Sequence, residues 1–496
     1  MSTVVDSENV EVYGPYARTD HLASTNIRHS YKPDSHLVSF DEYFLMYLFV
    51  WSDVLWGSEL PTFGDLLEYY ETHTTNKFTY EESHRSKWEA ESARLRRFRE
   101  DLPAVRSLLR STPTLMIFDD HDVTDDWRLN EAWIVDVIGM ELGKQIELNA
   151  LLAYILAQAS GNDALQFTPL IDEVFQDVDV AGWRERGVGK GRGLANVLGW
   201  QDLKLNQSKI RFHYRVDLPA IHVVVLDTRT RRGYDQGEYA SLIATEHIVE
   251  QIGQPGTRMP MLLVSPAPMF GHVLVEELQA WMTGHPGVNH WWYEDGISHI
   301  PDDKFDPVLN VDAESWALEQ WSRIFFLREL FKSWKDAPFY VVLSGDVHYA
   351  YAQTIAFMDR QPSKLVQLTS SAILNHESTA DYLKYLRDDL QTLKGSEYLK
   401  KLILHVEAEF KYTVEMHAAT VEKTATGATG FLGLLRGLSE LTPLEIAKNA
   451  LRSLDTYVWG DSNCGLIAFP QAGRLTHTLI TRSMGDPAHV TWTIPV

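Results

Sequence analysis

The stretch IFDDHDVTDDW, from Ile117 to Trp127, places five aspartates and one histidine in eleven residues directly after an apolar run. Carboxylates a few ångströms apart repel one another unless they are solvated or share a cation. Hard carboxylate oxygens beside an imidazole suit a divalent or trivalent metal, with Asp119 and Asp120 as ligand candidates, and His121 can also act as a general acid. A second reading fits the same residues: aspartates cap the free amides of a helix N-terminus and favour its dipole. Further along, SGDVHYA sets Asp346 and His348 two residues apart, and LDTRT sets Asp227 and Arg229 likewise. Side chains at i and i+2 of an extended chain point the same way, so each pair can face one site. Asp346 and His348 then have metal-ligand spacing, against a capped turn with a core histidine. A guanidinium such as Arg229 can grip a phosphate or sulfate through two bonds, against an ordinary surface ion pair with Asp227.

These residues need elements to hold them. Four runs share one pattern, a short β-branched and apolar stretch ending abruptly in polar residues: TLMIF before DDHD, AIHVVVL before DTRTRRG, MPMLLV before SPAP, and FYVVLSG before DVHYA. Such runs, with helical segments between them, predict buried strands of a layered α/β fold. Sites in such folds form beyond the carboxyl ends of the strands. LVQLTSSAILN adds Ser370, Ser371 and Asn375 after another apolar run, with loop hydrogen bonding as their expected role. YFLMYLFVW, Tyr43 to Trp51, is far shorter than the roughly 20 residues of a spanning helix and reads as a buried helix.

The chain has 496 residues and a formal charge of −23, which repels polyanions, so nucleic acid is not an expected partner. Its single cysteine, Cys464, excludes an internal disulfide and reads as a small buried hydrophobe. MSTVVDSENVEVYG lacks the basic and apolar regions of a secretory signal, so the expected location is cytoplasmic as the chain stands, with secretion as the alternative if the true N-terminus lies upstream. The basic run RTRRG reads as phosphate-site chemistry or a solvated turn. GHPGVNHWWYEDGISHIPDD, with His285, His290 and His299, reads as an aromatic loop packed on the core. FLGLLRGLSELTPLEIAKNALRSL is amphipathic, and its apolar stripe reads as core.

Taken together, IFDDHDVTDDW, LDTRT, LLVSPAP, LSGDVHYA and VQLTSSA resemble the PhoD-like alkaline phosphatase and phosphodiesterase branch of the metallophosphoesterases. FDEYFLMYLFVWSDVLW and DAESWALEQWSRIFF are similar to its helical segments, and NCGLIAF, LTHTLIT and HVTWTIPV to strands that complete its sheets. The resemblance implies an α/β sandwich of two mixed sheets flanked by helices. It implies an irregular segment over 1–39 and a phosphatase domain over 40–496, with a helix and closing strands from 400 onward. It implies a two-metal site between facing sheets, holding iron and calcium. Asp120 takes a ligand position beside Asp119, His121 the proton-donating position, and Asp346 and His348 the last metal motif. Arg229 contacts the substrate phosphate, Asp227 orients it, and Ser265 belongs to the substrate-binding set.

One part of the family pattern is missing. Its first βαβ unit carries GDxxY, whose aspartate bridges both metals, and an upstream strand-end cysteine or Asp-x-His. PDSHLVSF offers Asp34 and His36 with the right spacing but no preceding strand, and PTFGDLLEYY offers Asp65 at what reads as a helix start. The chain therefore resembles a member lacking its first metal-binding portion. Two functions follow: a metal-dependent phosphoric ester hydrolase acting on a small phosphoester, or an impaired relative that binds a metal or phosphate and acts by interaction. A third reading is a globular protein whose acidic loop binds calcium structurally.

Overall fold

The computed structural model describes residues 36–73, 82–124, 127–129, 133–175, 210–234, 240–254, 258–271, 316, 320–347, 349–358 and 364–371, and the strand segments between 404 and 495. The chain forms two compact units, Met1–Phe212 and His213–Val496. This division falls inside the stretch that the sequence assigns to one domain from residue 40.

In the first unit the named elements among the described residues are helical: α1 (Phe40–Trp51), α2 (Phe63–His73), α3 (Glu82–Ser111), α4 (Glu141–Tyr154) and α5 (Ala164–Phe175), with short π-helical turns at Ile134–Ile138 and Ile155–Ala159. α1 starts where Ser39 and Glu42 cap each other's amides, and it buries Phe40, Tyr43 and Tyr47, which share one face at i, i+3 and i+7. The core joins these rings to Phe118, Trp127, Trp133, Tyr154, Phe167 and Phe212. TLMIF, expected as a strand, forms none here. The Asn162 side chain instead accepts from the Met116 N–H at 3.0 Å and donates to its carbonyl at 2.9 Å, supplying both bonds that a neighbouring strand would make.

The second unit contains the expected sheets. β1 (Tyr214–Leu218) and β2 (Ile221–Val225) form a hairpin; β3 (Met261–Val264), β4 (Tyr340–Ser344), β5 (Ala350–Phe357) and β6 (Lys364–Thr369) complete a mixed six-stranded array ordered β1-β2-β3-β4-β6-β5. β7 (Leu404–Glu407), β8 (Phe410–Met416) and β10 (Val458–Trp459) extend it to nine strands. β9 (Thr420–Lys423), β11 (Asn463–Ala468), β12 (Arg474–Ser483) and β13 (Asp486–Pro495) make a second sheet ordered β11-β12-β13-β9. All its pairings are antiparallel, whereas two mixed sheets were expected. No crossover connection separates β12 from β13; they pair over their full ten residues.

Alternation along the central strands feeds two cores. Val224, Leu263 and Val342 point to the face covered by α6 (Thr245–Ile252) and α7 (Gln320–Ser333), with Ile248, Leu327 and Trp334. Val341, Val366 and Leu368 point the other way, against Leu475, Leu479, Val490 and Trp492 of the second sheet. The result is a helix–sheet–sheet sandwich, each layer burying the stripe that its period dictates. Cys464 is exposed, contrary to expectation, because it shares the outer face of its sheet with its cross-strand partner Ile480 and with Leu466. Among the described residues no helix is long and apolar enough to cross a membrane. The histidine-rich loop and the amphipathic 431–454 stretch lie outside the described residues.

His477 shows how strictly the period rules. It sits between Leu475 and Leu479 at i±2 and must point inward with them, where it stacks on its cross-strand neighbour Trp492 at 5.2 Å. Burial pulls its pKa down to about 4. A histidine whose folded pKa lies below its unfolded value takes up a proton on unfolding, so stability falls as pH drops from about 6.5 towards 4, by about 3 kcal/mol for this group. Urea unfolding across that range should give a shallower pH slope for His477→Leu than for the wild type; equal slopes would contradict the assignment.

Candidate functional site

β2, β3, β4 and β6 run parallel, and the residues following them continue the ladder along one edge. The Leu226 amide donates to Val264, Ser265 to Leu343, Gly345 to Pro266 and Ser370 to Ser344. DTRT, SPAP, GD and SS are thereby gathered at the carboxyl ends of adjacent strands, as the sequence pattern predicts.

Asp227 closes the turn after β2. One carboxylate oxygen accepts from the Arg229 amide at 3.2 Å and the Thr230 amide at 2.8 Å, the other from the Thr230 hydroxyl. Gln251 of α6 grips the Asp227 backbone from both sides, accepting from its N–H at 2.8 Å and donating to its carbonyl at 3.0 Å. The chain bends here, so the expected i, i+2 alignment gives way to an aspartate-capped turn that aims Arg229. Arg229 is completely buried and donates to Asp346 at 2.8 Å. Arg231 and Arg232 are buried as well, which excludes a solvated turn for RTRRG. The Arg232 guanidinium donates to the Thr228 carbonyl, tightening the same bend.

Asp346 has φ 71°, a left-handed conformation that aspartate tolerates better than most residues. The alignment of Asp346 with His348 on an extended strand therefore fails at its first residue, and His348 lies outside the described residues. A strained, non-glycine backbone holding a charged side chain at a strand end is the kind of feature that clusters at functional sites. Ser265 is buried; its hydroxyl donates to the Ala267 carbonyl at 2.6 Å and accepts from the Trp316 indole at 3.3 Å, which makes it a turn holder. Ser370 and Ser371 follow β6 in a loop, and Asn375 lies outside the described residues.

In the first unit, Asp120–Asp122 forms a single 3-10 turn after Asp119. Asp119, Asp120 and His121 each present one ligand atom, all within 4.8 Å of one another, so this group could hold a metal ion. Oxygen and imidazole donors at that separation fit a divalent or trivalent cation. Asp120 is buried, while the His121 side chain keeps 47% of its surface. His121 Nδ1 lies 3.2 Å from Asp119 Oδ2 and 3.1 Å from Asp120 Oδ1, and these hydrogen bonds, that to Asp119 first, draw its pKa up to about 12. Without a cation on these carboxylates they keep the ring charged; with one bound the same oxygens serve the metal, and only the neutral ring could ligate it. Asp122 points away from the group. Burial, then the Asp119 charge, push its pKa up to about 7 against the hydrogen bonds it accepts.

The two stand-ins for the missing first metal unit have other tasks. Asp65 accepts from the Thr62 amide and hydroxyl, each at 2.7 Å, while its own amide donates to Thr62, an N-terminal cap for α2. His36 is buried with Nδ1 2.6 Å from the Leu37 carbonyl, and Asp34 lies outside the described residues. Tyr47 and Gln158, which bind Asp122, were not legible as site residues, because the sequence carries no mark of which helical positions face the turn.

The chain was compared with protein-family models, curated proteins and solved structures. Nothing matches.

The Arg229–Asp346 pair carries a stability prediction. Removing one partner of a buried pair strands the other charge, at a cost of about 3 to 5 kcal/mol. Arg229→Met should therefore lower the unfolding free energy in denaturant titrations by that amount, and a change within about 0.5 kcal/mol, typical of surface sites, would contradict the pairing.

Proposed function

We propose that this chain is a metal-dependent phosphoric ester hydrolase similar to the PhoD-like phosphatases and phosphodiesterases. The observation that supports this most is the convergence of Asp119, Asp120 and His121 into one ligand group within the motif the resemblance singles out. Iron and calcium are the cations that resemblance suggests.

Asp119 and Asp120 would hold the cation, and a bound cation would supply a Lewis acid for a phosphoryl oxygen and a water acidic enough to ionise to a hydroxide nucleophile. His121, partly open to solvent beside the two carboxylates, is the group placed to give the departing alkoxide its proton. In the second unit, Arg229, whose direction is set by the Asp227 turn and by Asp346, carries the fork of donors that the resemblance assigns to phosphate recognition. A small phosphoester is the substrate class, and the negative charge of the chain disfavours nucleic acid.

The second reading, an impaired relative that binds a cation or phosphate without turnover, is favoured by one observation: Asp65 and His36 are engaged in capping and backbone contacts rather than held for a metal.

His121→Ala separates the two. Hydrolysis of p-nitrophenyl phosphate or bis(p-nitrophenyl) phosphate by the metal-loaded, folded variant should fall by about 10²- to 10⁴-fold relative to the wild type. A wild-type protein that hydrolyses neither ester with iron, calcium, manganese or zinc would leave only the binding reading.

A further inference from the structure

We infer that Asp122 is a positioning residue rather than a cation ligand, and that Tyr47 and Gln158 hold its carboxylate so that it fixes the backbone of the Asp119–His121 ligand turn. This rests on the metal-centre reading above.

The Asp122 carboxylate is fully engaged on its inner side. Oδ1 accepts from the Tyr47 hydroxyl at 2.9 Å and from the Gln158 amide at 2.9 Å. Oδ2 accepts from the Asp119 N–H at 3.2 Å. Its backbone N–H returns to the Asp119 carbonyl at 3.2 Å, so Asp119 is tied to Asp122 at both of its peptide groups. Asp119 and Asp120 in turn hold the imidazole of His121.

The two outer partners come from different elements. Tyr47 is a buried residue of α1, and one turn before it Tyr43 donates to the Val123 carbonyl at 3.1 Å. A single helical face therefore grips two successive residues of the turn. Gln158 is buried in the π-helical segment Ile155–Ala159, between Ile155 and Ala159 of the core. An amide buried among apolar groups needs a partner, and Asp122 is the one it finds. π-helical turns are uncommon and recur at functional sites, where the widened turn re-aims a side chain. Groups that orient metal ligands from behind change metal affinity by about 10- to 100-fold when removed.

The test is calorimetric titration of Mn²⁺ into the full-length wild type, Tyr47→Phe and Gln158→Met, with a melting curve for each. All carboxylates remain in both variants. Positioning predicts Mn²⁺ binding weaker by about tenfold or more in each folded variant. If Asp122 were a ligand, freeing Oδ1 would leave binding unchanged or tighten it, and that result overturns the inference while the metal centre stands. A wild type that binds no Mn²⁺ overturns the metal centre and the inference with it. Should Tyr47→Phe not fold, Gln158→Met carries the same comparison.

Discussion

Negative charge crowded on one short turn is the constraint around which the first unit is arranged. Asp119, Asp120 and Asp122 lie within four residues, and Asp120 is buried. Ionised carboxylates that close, and partly out of water, are costly unless each finds a donor or a cation. The chain distributes them by direction. Asp122 turns inward to a tyrosine and a glutamine, whereas Asp119 and Asp120 turn towards the imidazole. Helix α1, the π-helical segment and the aromatic core around Phe118 make that division possible, since they supply buried donors at fixed places.

The second unit solves a different problem, that of keeping arginine side chains out of water. Arg229, Arg231 and Arg232 follow directly on a buried strand. The bend is secured by Asp227, by Gln251 reaching from α6, and by the Thr228 carbonyl accepting from Arg232. Asp346 balances Arg229 from a strained left-handed position after β4. Neighbouring parallel strands make this possible, because successive strand ends fall along one edge without any further device.

Much of this second unit was legible in the chain itself. AIHVVVL, MPMLLV and FYVVLSG are buried on both faces, so continuous apolar runs mark them, and the final antiparallel strands announce themselves by alternation around Leu475, Leu479, Val490 and Trp492. TLMIF has the same composition and yet is no strand, because a side-chain amide can satisfy a peptide as well as a neighbouring strand does and composition does not record which partner is present. The acidic turn was legible as chemistry. Its supports were not: Tyr47 and Gln158 lie 75 and 36 residues away from Asp122, and only the folded chain brings them there. The i, i+2 alignments failed for a local reason, since both Asp227 and Asp346 leave the strand in turn geometry.

The central claim is that the Asp119–His121 turn holds a cation. Elemental analysis of the purified chain, after incubation with iron, calcium, manganese and zinc and removal of free metal, tests it most directly. The account predicts one or more tightly held ions per chain in the wild type and their loss in Asp120→Ala. A wild-type chain that retains none would contradict it.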